Sequence, residues 1–274
     1  MPWIDAPFAR QSNVTLAGSG SRTLLCAHGF CSHQGIFRHQ LQAFQATHRV
    51  VAYDLAGFGQ SAPELWDAER HSRLDGYAAD LVRLIDELDL RRIILLGASM
   101  SAMIGVLASL QRPERFEALV FIGASPRYLN GAAYHGGFER AEVDAFYRLI
   151  EQQGDWQGAL TGLLLNQPVS LPLQEIAQSV RGVKPEVARV VARAIFESDY
   201  RPLLAQVRHP VLVTQTRADS AVPVSVGLYL RDNLPRADLV FLPGVGHLPH
   251  FTEPDPFNGV LRQFLARTSA AEEP

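Results

Sequence analysis

The sequence predicts an open, doubly wound α/β sheet, mostly parallel, with one helical insertion. Three observations carry this. Six short runs, at 23–27, 50–53, 93–96, 119–122, 211–214 and 239–242, are almost continuously apolar. Unbroken rather than alternating hydrophobicity is what a strand covered on both faces needs. Segments with apolar residues at helical spacing separate the runs, which is the rhythm of strand–crossover–strand units. That rhythm then fails between about Arg127 and Tyr200, where helical patterns follow one another without a convincing strand.

Taken in order, the first run leads into His28-Gly29-Phe30 and the second into the glycine-rich stretch from Asp54 to Ser61. That stretch lacks the Gly-Lys-Ser/Thr ending of a phosphate-binding loop and reads as a structural turn. From 77 to 88, Leu81, Leu84, Ile85 and Leu88 fall at helical spacing. The third run passes through Gly97-Ala98-Ser99-Met100-Ser101 into a helix at 101–110. In the irregular region, 142–152, 156–165, 173–180 and 185–196 read as helices, and 224–230 and 257–265 follow the last two strands. The insertion leaves and rejoins the sheet directly after a strand. Open α/β sheets bind ligands at the carboxyl ends of their strands, so the insertion is expected to cap that edge. The expected organisation is a core from 1–126 and 201–268, a helical cap at 127–200 and a disordered tail at 269–274.

The chain has 274 residues, enough for one large core with an insertion. Apolar residues make up 47% and charged residues 19%, ordinary values for a globular protein. A net charge of −3 and the lack of a clustered Lys/Arg stripe argue against a nucleic-acid partner. The first residues lack the basic and apolar regions of a secretory signal, and no apolar run approaches the ~20 residues of a membrane span. Cys26 and Cys31 are too few for a disulfide framework, so reduced thiols in a cytoplasmic protein are expected. Cys26, in a strand, is expected to be core.

The run into Ser99 has the pattern of a nucleophile elbow, a tight strand-to-helix turn that holds a serine hydroxyl above the sheet. Residues two before and two after must be small, and Gly97 and Ser101 satisfy that, with Ser101 replacing the usual second glycine. A serine hydroxyl needs a base, and the base an orienting acid. The loops after the last two strands supply Asp219 and His247, in the order and at the sheet edge the chemistry requires. The expected roles are attack by Ser99, proton uptake by His247 and orientation of its ring by Asp219. The backbone amides of Met100 and Phe30 are the expected oxyanion donors, one such donor being worth about 3 kcal/mol in the barrier. His28 is expected to order the oxyanion loop and Cys31 to line the pocket. His247 and His250 have no third ligand nearby in sequence, so no metal site is expected.

Further strings carry a resemblance. Gly123-Ala124-Ser125-Pro126-Arg127-Tyr128-Leu129-Asn130, then Tyr134-His135-Gly136-Gly137-Phe138-Glu139, resembles the cap opening of RsbQ-like members of the α/β-hydrolase superfamily, relatives of the strigolactone and karrikin receptors. Gly246-His247-Leu248-Pro249-His250 and Ala102-Met103-Ile104-Gly105 are similar to the same group. The resemblance covers Asn13 to Leu265. It implies an α/β-hydrolase fold with a four-helix cap over a largely apolar pocket and a Ser-His-Asp triad without a cofactor. It also implies that Phe30, Tyr128, Trp156, Phe196 and Ala221 line the cavity. One position departs: the residue before the nucleophile is commonly histidine in this branch, and here it is Ala98. The ligand of known relatives is therefore not carried over.

These readings together predict a serine hydrolase for a small, mostly apolar ester or lactone, in a signalling role with a PAS-domain protein as the partner that the resemblance suggests. The alternatives are a small-molecule receptor with slow or single turnover, and a catabolic carbon–carbon bond hydrolase or cofactor-free haloperoxidase. A dehalogenase is disfavoured, because it needs a carboxylate where Ser99 stands.

Overall fold

The computed structural model describes residues 6–165 and 171–270. Seven strands, β1 (Thr15–Ala17), β2 (Thr23–Ala27), β3 (Arg49–Tyr53), β4 (Ile93–Ala98), β5 (Phe116–Ile122), β6 (Val211–Ala218) and β7 (Ala237–Val245), form one sheet in the order β1-β3-β2-β4-β5-β6-β7. Only β1 is antiparallel, paired to β3; the remaining neighbours are parallel. The helices are α1 (Pro7–Gln11), α2 (Arg38–Phe44), α3 (Leu74–Glu87), α4 (Met100–Gln111), α5 (Arg140–Glu151), α6 (Trp156–Leu165), α7 (Leu171–Arg181), α8 (Pro185–Phe196), α9 (Val224–Asn233), α10 (Pro249–Thr252) and α11 (Pro254–Ala270). Every residue of β2 and β4 is buried, as their unbroken apolar sequences require.

This order reverses direction between β2 and β4. The chain leaves β2 toward β3 on one side and returns to β4 on the other, the kind of switch point at whose carboxyl ends open α/β sheets bind ligands. The register Ala27↔Gly97 sets the loop after β2 directly beside the turn after β4. Helices α5–α8 lie between β5 and β6, and three contacts place them over the carboxyl edge. Leu164 accepts from the His247 amide beyond β7, Ser179 reaches Cys31 beyond β2, and Val187 faces Gly57 beyond β3. Among the described residues, no helix is long and apolar enough to cross a membrane.

The sequence reading placed a disordered tail from 269, but α11 continues to Ala270. Arg22 holds this end: its guanidinium donates to the Leu265 carbonyl (2.9 Å), Thr268 Oγ1 (2.6 Å) and Ser269 Oγ while pairing with Glu117. The rest of that tail, 271–274, lies outside the described residues.

Candidate active site

Ser99 caps the start of α4 with φ 55 and ψ −122, a region that costs a non-glycine residue on the order of 1–3 kcal/mol. The turn closes because its flanks are small. A Cβ on Gly97 would lie 2.7 Å from the Ser101 carbonyl oxygen and 2.8 Å from the Ala102 nitrogen. Ser99 donates its own amide to the Ile122 carbonyl at the end of β5 (2.8 Å). Ser101, in the place of a glycine, uses its side chain: the hydroxyl donates to the buried carbonyl of His28. The elbow and the loop after β2 are thereby tied, a role that sequence reasoning did not find.

That loop is braced again by His28. Its Nδ1–H donates to the Gly29 carbonyl (2.8 Å), and its Nε2 accepts the Leu55 amide (3.0 Å), so one neutral tautomer serves both bonds. Burial pushes the His28 pKa down to about 4, with nearby Asp54 opposing in part. A Cβ on Gly29 would meet Ser99 Cβ at 3.0 Å, so the loop lies against the nucleophile. Among the described residues, neither the Phe30 nor the Met100 amide donates to a protein acceptor. Asp54 accepts from Asn13 Nδ2 (2.7 Å) and the amides of Gln34 and Gln60 (2.8 Å each), the turn role expected for it.

Asp219 follows β6 and His247 follows β7. Asp219 Oδ2 accepts His247 Nδ1–H at 2.8 Å, and Oδ1 accepts the amides of Ala221 (2.8 Å) and Val222 (3.1 Å). Both side chains are 1% exposed, so the pair is shielded from competing water. With the proton fixed at Nδ1, Nε2 is the basic nitrogen. The ring rests on Gly123, where a Cβ would sit 2.9 Å from Nδ1 and Cε1, and where φ is +57. Since Ser99 is bonded to Ile122, the preceding residue, the Ser99 backbone and the imidazole lie against consecutive residues at the end of β5. Serine and imidazole are not hydrogen-bonded to each other. The Ser99 hydroxyl instead shares a 3.2 Å bond with the Tyr128 hydroxyl. Burial raises the Tyr128 pKa and keeps that hydroxyl protonated, although the bond to Ser99 acts in the opposite direction. Catalytic hydrogen bonds of this kind often tighten only once substrate is bound.

Around Tyr128 stands an aromatic cluster. Phe196 lies 5.6 Å away edge-on, Phe138 lies 6.4 Å from Tyr128 and 5.2 Å from Phe196, and Phe146 lies 6.1 Å from Phe196. Sequence reasoning named Tyr128 and Phe196 but missed Phe138 and Phe146. Phe138 sits in the very string that carried the resemblance, and that signal was available. Phe30 packs edge-on against Phe58 at 6.1 Å. Ala221 bears on the site through its amide bond to Asp219. Trp156 is buried at the start of α6, and no ring contact among the described residues joins it to the cluster. Cys31 is buried beside Phe30, with its thiol pushed well up by burial, so it is no nucleophile. His250 is buried against Phe37 (4.7 Å) and Phe257 (5.8 Å), and burial lowers its pKa to about 3.

A model of the alpha/beta hydrolase family matches residues 24–260. Strigolactone esterase RMS3 of Pisum sativum is 36% identical over 254 residues, covering 92% of this chain and 95% of its own length. Karrikin insensitive 2 receptor CA of Petunia hybrida is 38% identical over 246 residues, covering 89% of this chain and 91% of its own. Among solved structures, olei00960, a hydrolase from Oleispira antarctica, superposes with a TM-score of 0.92 at 31% identity, covering 95% of this chain and 96% of that one.

Proposed function

This chain belongs to the alpha/beta hydrolase family, and from that premise we propose that it is a cytoplasmic serine esterase whose substrate is a small, largely apolar ester or lactone. The observation that carries this reading is the buried Asp219–His247 pair, with Nε2 left basic, at the same strand edge as the strained Ser99 elbow. Helices α5–α8, across 127–200, serve as the cap, and the aromatic cluster of Tyr128, Phe138 and Phe196 supports an apolar ligand.

In the mechanism Ser99 Oγ turns from Tyr128 and attacks the carbonyl carbon while His247 Nε2 takes its proton. The oxyanion accepts from the Phe30 and Met100 amides. Collapse breaks the bond to the alkoxy oxygen, which leaves with the proton held by His247. Water, deprotonated by the same nitrogen, then cleaves the acyl-enzyme and frees the acid and Ser99. A fluorophosphonate probe and p-nitrophenyl esters test the assignment. Native protein is expected to label and turn over, and Ser99→Ala to do neither; labelling that survives in the variant overturns it.

A second reading is a receptor that turns over slowly, and the Ser99–Tyr128 bond favours it, because a hydroxyl held away from its base acylates slowly. Similarity to Karrikin insensitive 2 receptor CA supports it too. A burst of one product equivalent followed by release over hours is expected for a receptor, steady turnover for an esterase. The cap-opening string from Gly123 to Glu139 supports a signalling role beside a PAS-domain protein, to be tested by co-purification.

A further inference from the structure

The oxyanion loop contains a second strained residue. Cys31, directly after Phe30, has φ 54, a left-handed conformation uncommon for residues other than glycine, asparagine and aspartate. Its buried, protonated thiol gives no chemical reason for the strain. Its carbonyl does: it accepts a hydrogen bond from Ser179 Oγ at 3.0 Å. Ser179 belongs to α7, in the proposed cap. Among the described residues, two polar contacts join α7 to the core, this bond and the paired bonds from Arg38 to Glu175 (2.8 and 3.2 Å). A polar cleft of about 710 Å³, walled by His33, Gly35, Gln178 and Ser179 among others, opens beside them. The Phe30 amide thus lies between two anchored carbonyls. His28 is held from the core by Ser101, and Cys31 is held from the cap by Ser179.

We propose that Ser179 is a positioning residue for the oxyanion hole: it holds the Cys31 carbonyl, and so the aim of the Phe30 amide, only while α7 is seated on the core. Cap seating then raises the reactivity of Ser99 without any cap residue touching the reacting atoms. This inference rests on the esterase reading above.

The test compares steady-state hydrolysis of p-nitrophenyl acetate by native protein, Ser179→Ala, Ser179→Thr and Glu175→Ala, with Ser99→Ala as the blank and circular dichroism melting as the folding control. Loss of a whole oxyanion donor costs 10²–10³ in kcat, so a misaimed one in Ser179→Ala is expected to cost about tenfold in kcat, with KM within about twofold. Ser179→Thr keeps the hydroxyl and is expected to restore kcat. Glu175→Ala removes a half-exposed ion pair that contributes little to seating, so α7 stays on the core with the Ser179 bond intact, and native kcat is expected. Native kcat in Ser179→Ala, or an equal loss in Glu175→Ala, overturns the proposal. Turnover that is absent in native protein or persists in Ser99→Ala overturns the esterase reading and this inference with it.

Discussion

Two serines at the elbow serve different ends. Ser99 bears the strained backbone and a hydroxyl that rests on Tyr128, whereas Ser101 spends its hydroxyl on the His28 carbonyl. Removing the Ser101 hydroxyl leaves a buried carbonyl without a donor, which costs about 1–3 kcal/mol. Ser101→Ala is therefore expected to lower the urea midpoint and to slow acylation as the loop after β2, the proposed oxyanion loop, slackens. Tyr128→Phe frees Ser99 from a bond worth about 1 kcal/mol, so fluorophosphonate labelling is expected to quicken about threefold to tenfold; an unchanged or slower rate counts against Tyr128 as a restraint. Asp219→Asn leaves the ring in the wrong tautomer, and kcat is expected to fall by about 10⁴ in the same esterase assay. The positions of Ser99, Asp219 and His247 were legible because a serine nucleophile demands a base and an acid on successive strand loops. The Ser101 bond was not legible, since it joins residues 73 positions apart whose approach depends on sheet register.

At the scale of elements, the interior strands were legible because burial on both faces leaves only apolar residues. The edge strand β1 escaped notice: Thr15-Leu16-Ala17 is largely exposed and pairs on one side only, so it carries no apolar run. Strands β6 and β7 run past their apolar segments: β6 continues through Gln215 and Thr216, buried but polar, and the remaining extensions are exposed or half-buried. Helix α8 begins and ends where its spacing predicted, and α6 begins there. The contact of α5 and α8 through Phe146 and Phe196 depends on packing that one helix cannot reveal. The aromatic cluster sets a dimension that is testable by substrate length. Phe138→Ala opens space beside Tyr128, and a pocket discriminates one methylene by about tenfold or more. The ratio of p-nitrophenyl hexanoate to acetate turnover is expected to rise by about that factor; an unchanged ratio removes Phe138 from the pocket wall.

For the molecule as a whole, two wholly buried neutral histidines set the response to acid. Burial lowers the pKa of His28 to about 4 and that of His250 to about 3, against 6.5 in the unfolded chain. Between pH 6.5 and 4 the unfolded state therefore binds more protons than the folded one, and stability falls as pH falls. Above pH 6.5 the contribution is fully present, and at pH 5 each histidine has lost on the order of 2 kcal/mol. Urea unfolding at pH 7 and pH 5 is expected to record that drop, and His250→Phe to remove about half of it; an undiminished drop in the variant would show that His250 does not contribute. One further linkage spans the molecule. The His247 amide hangs from the Leu164 carbonyl at 2.7 Å, and Gly246 has no room for a Cβ against Leu165. Swapping the insertion for a foreign one would therefore also exchange the bracket that carries His247, the proposed general base. Chimaeras that retain 164–165 in their native frame should keep proton transfer, and those cut inside it should forfeit hydrolysis even with every reactive side chain intact.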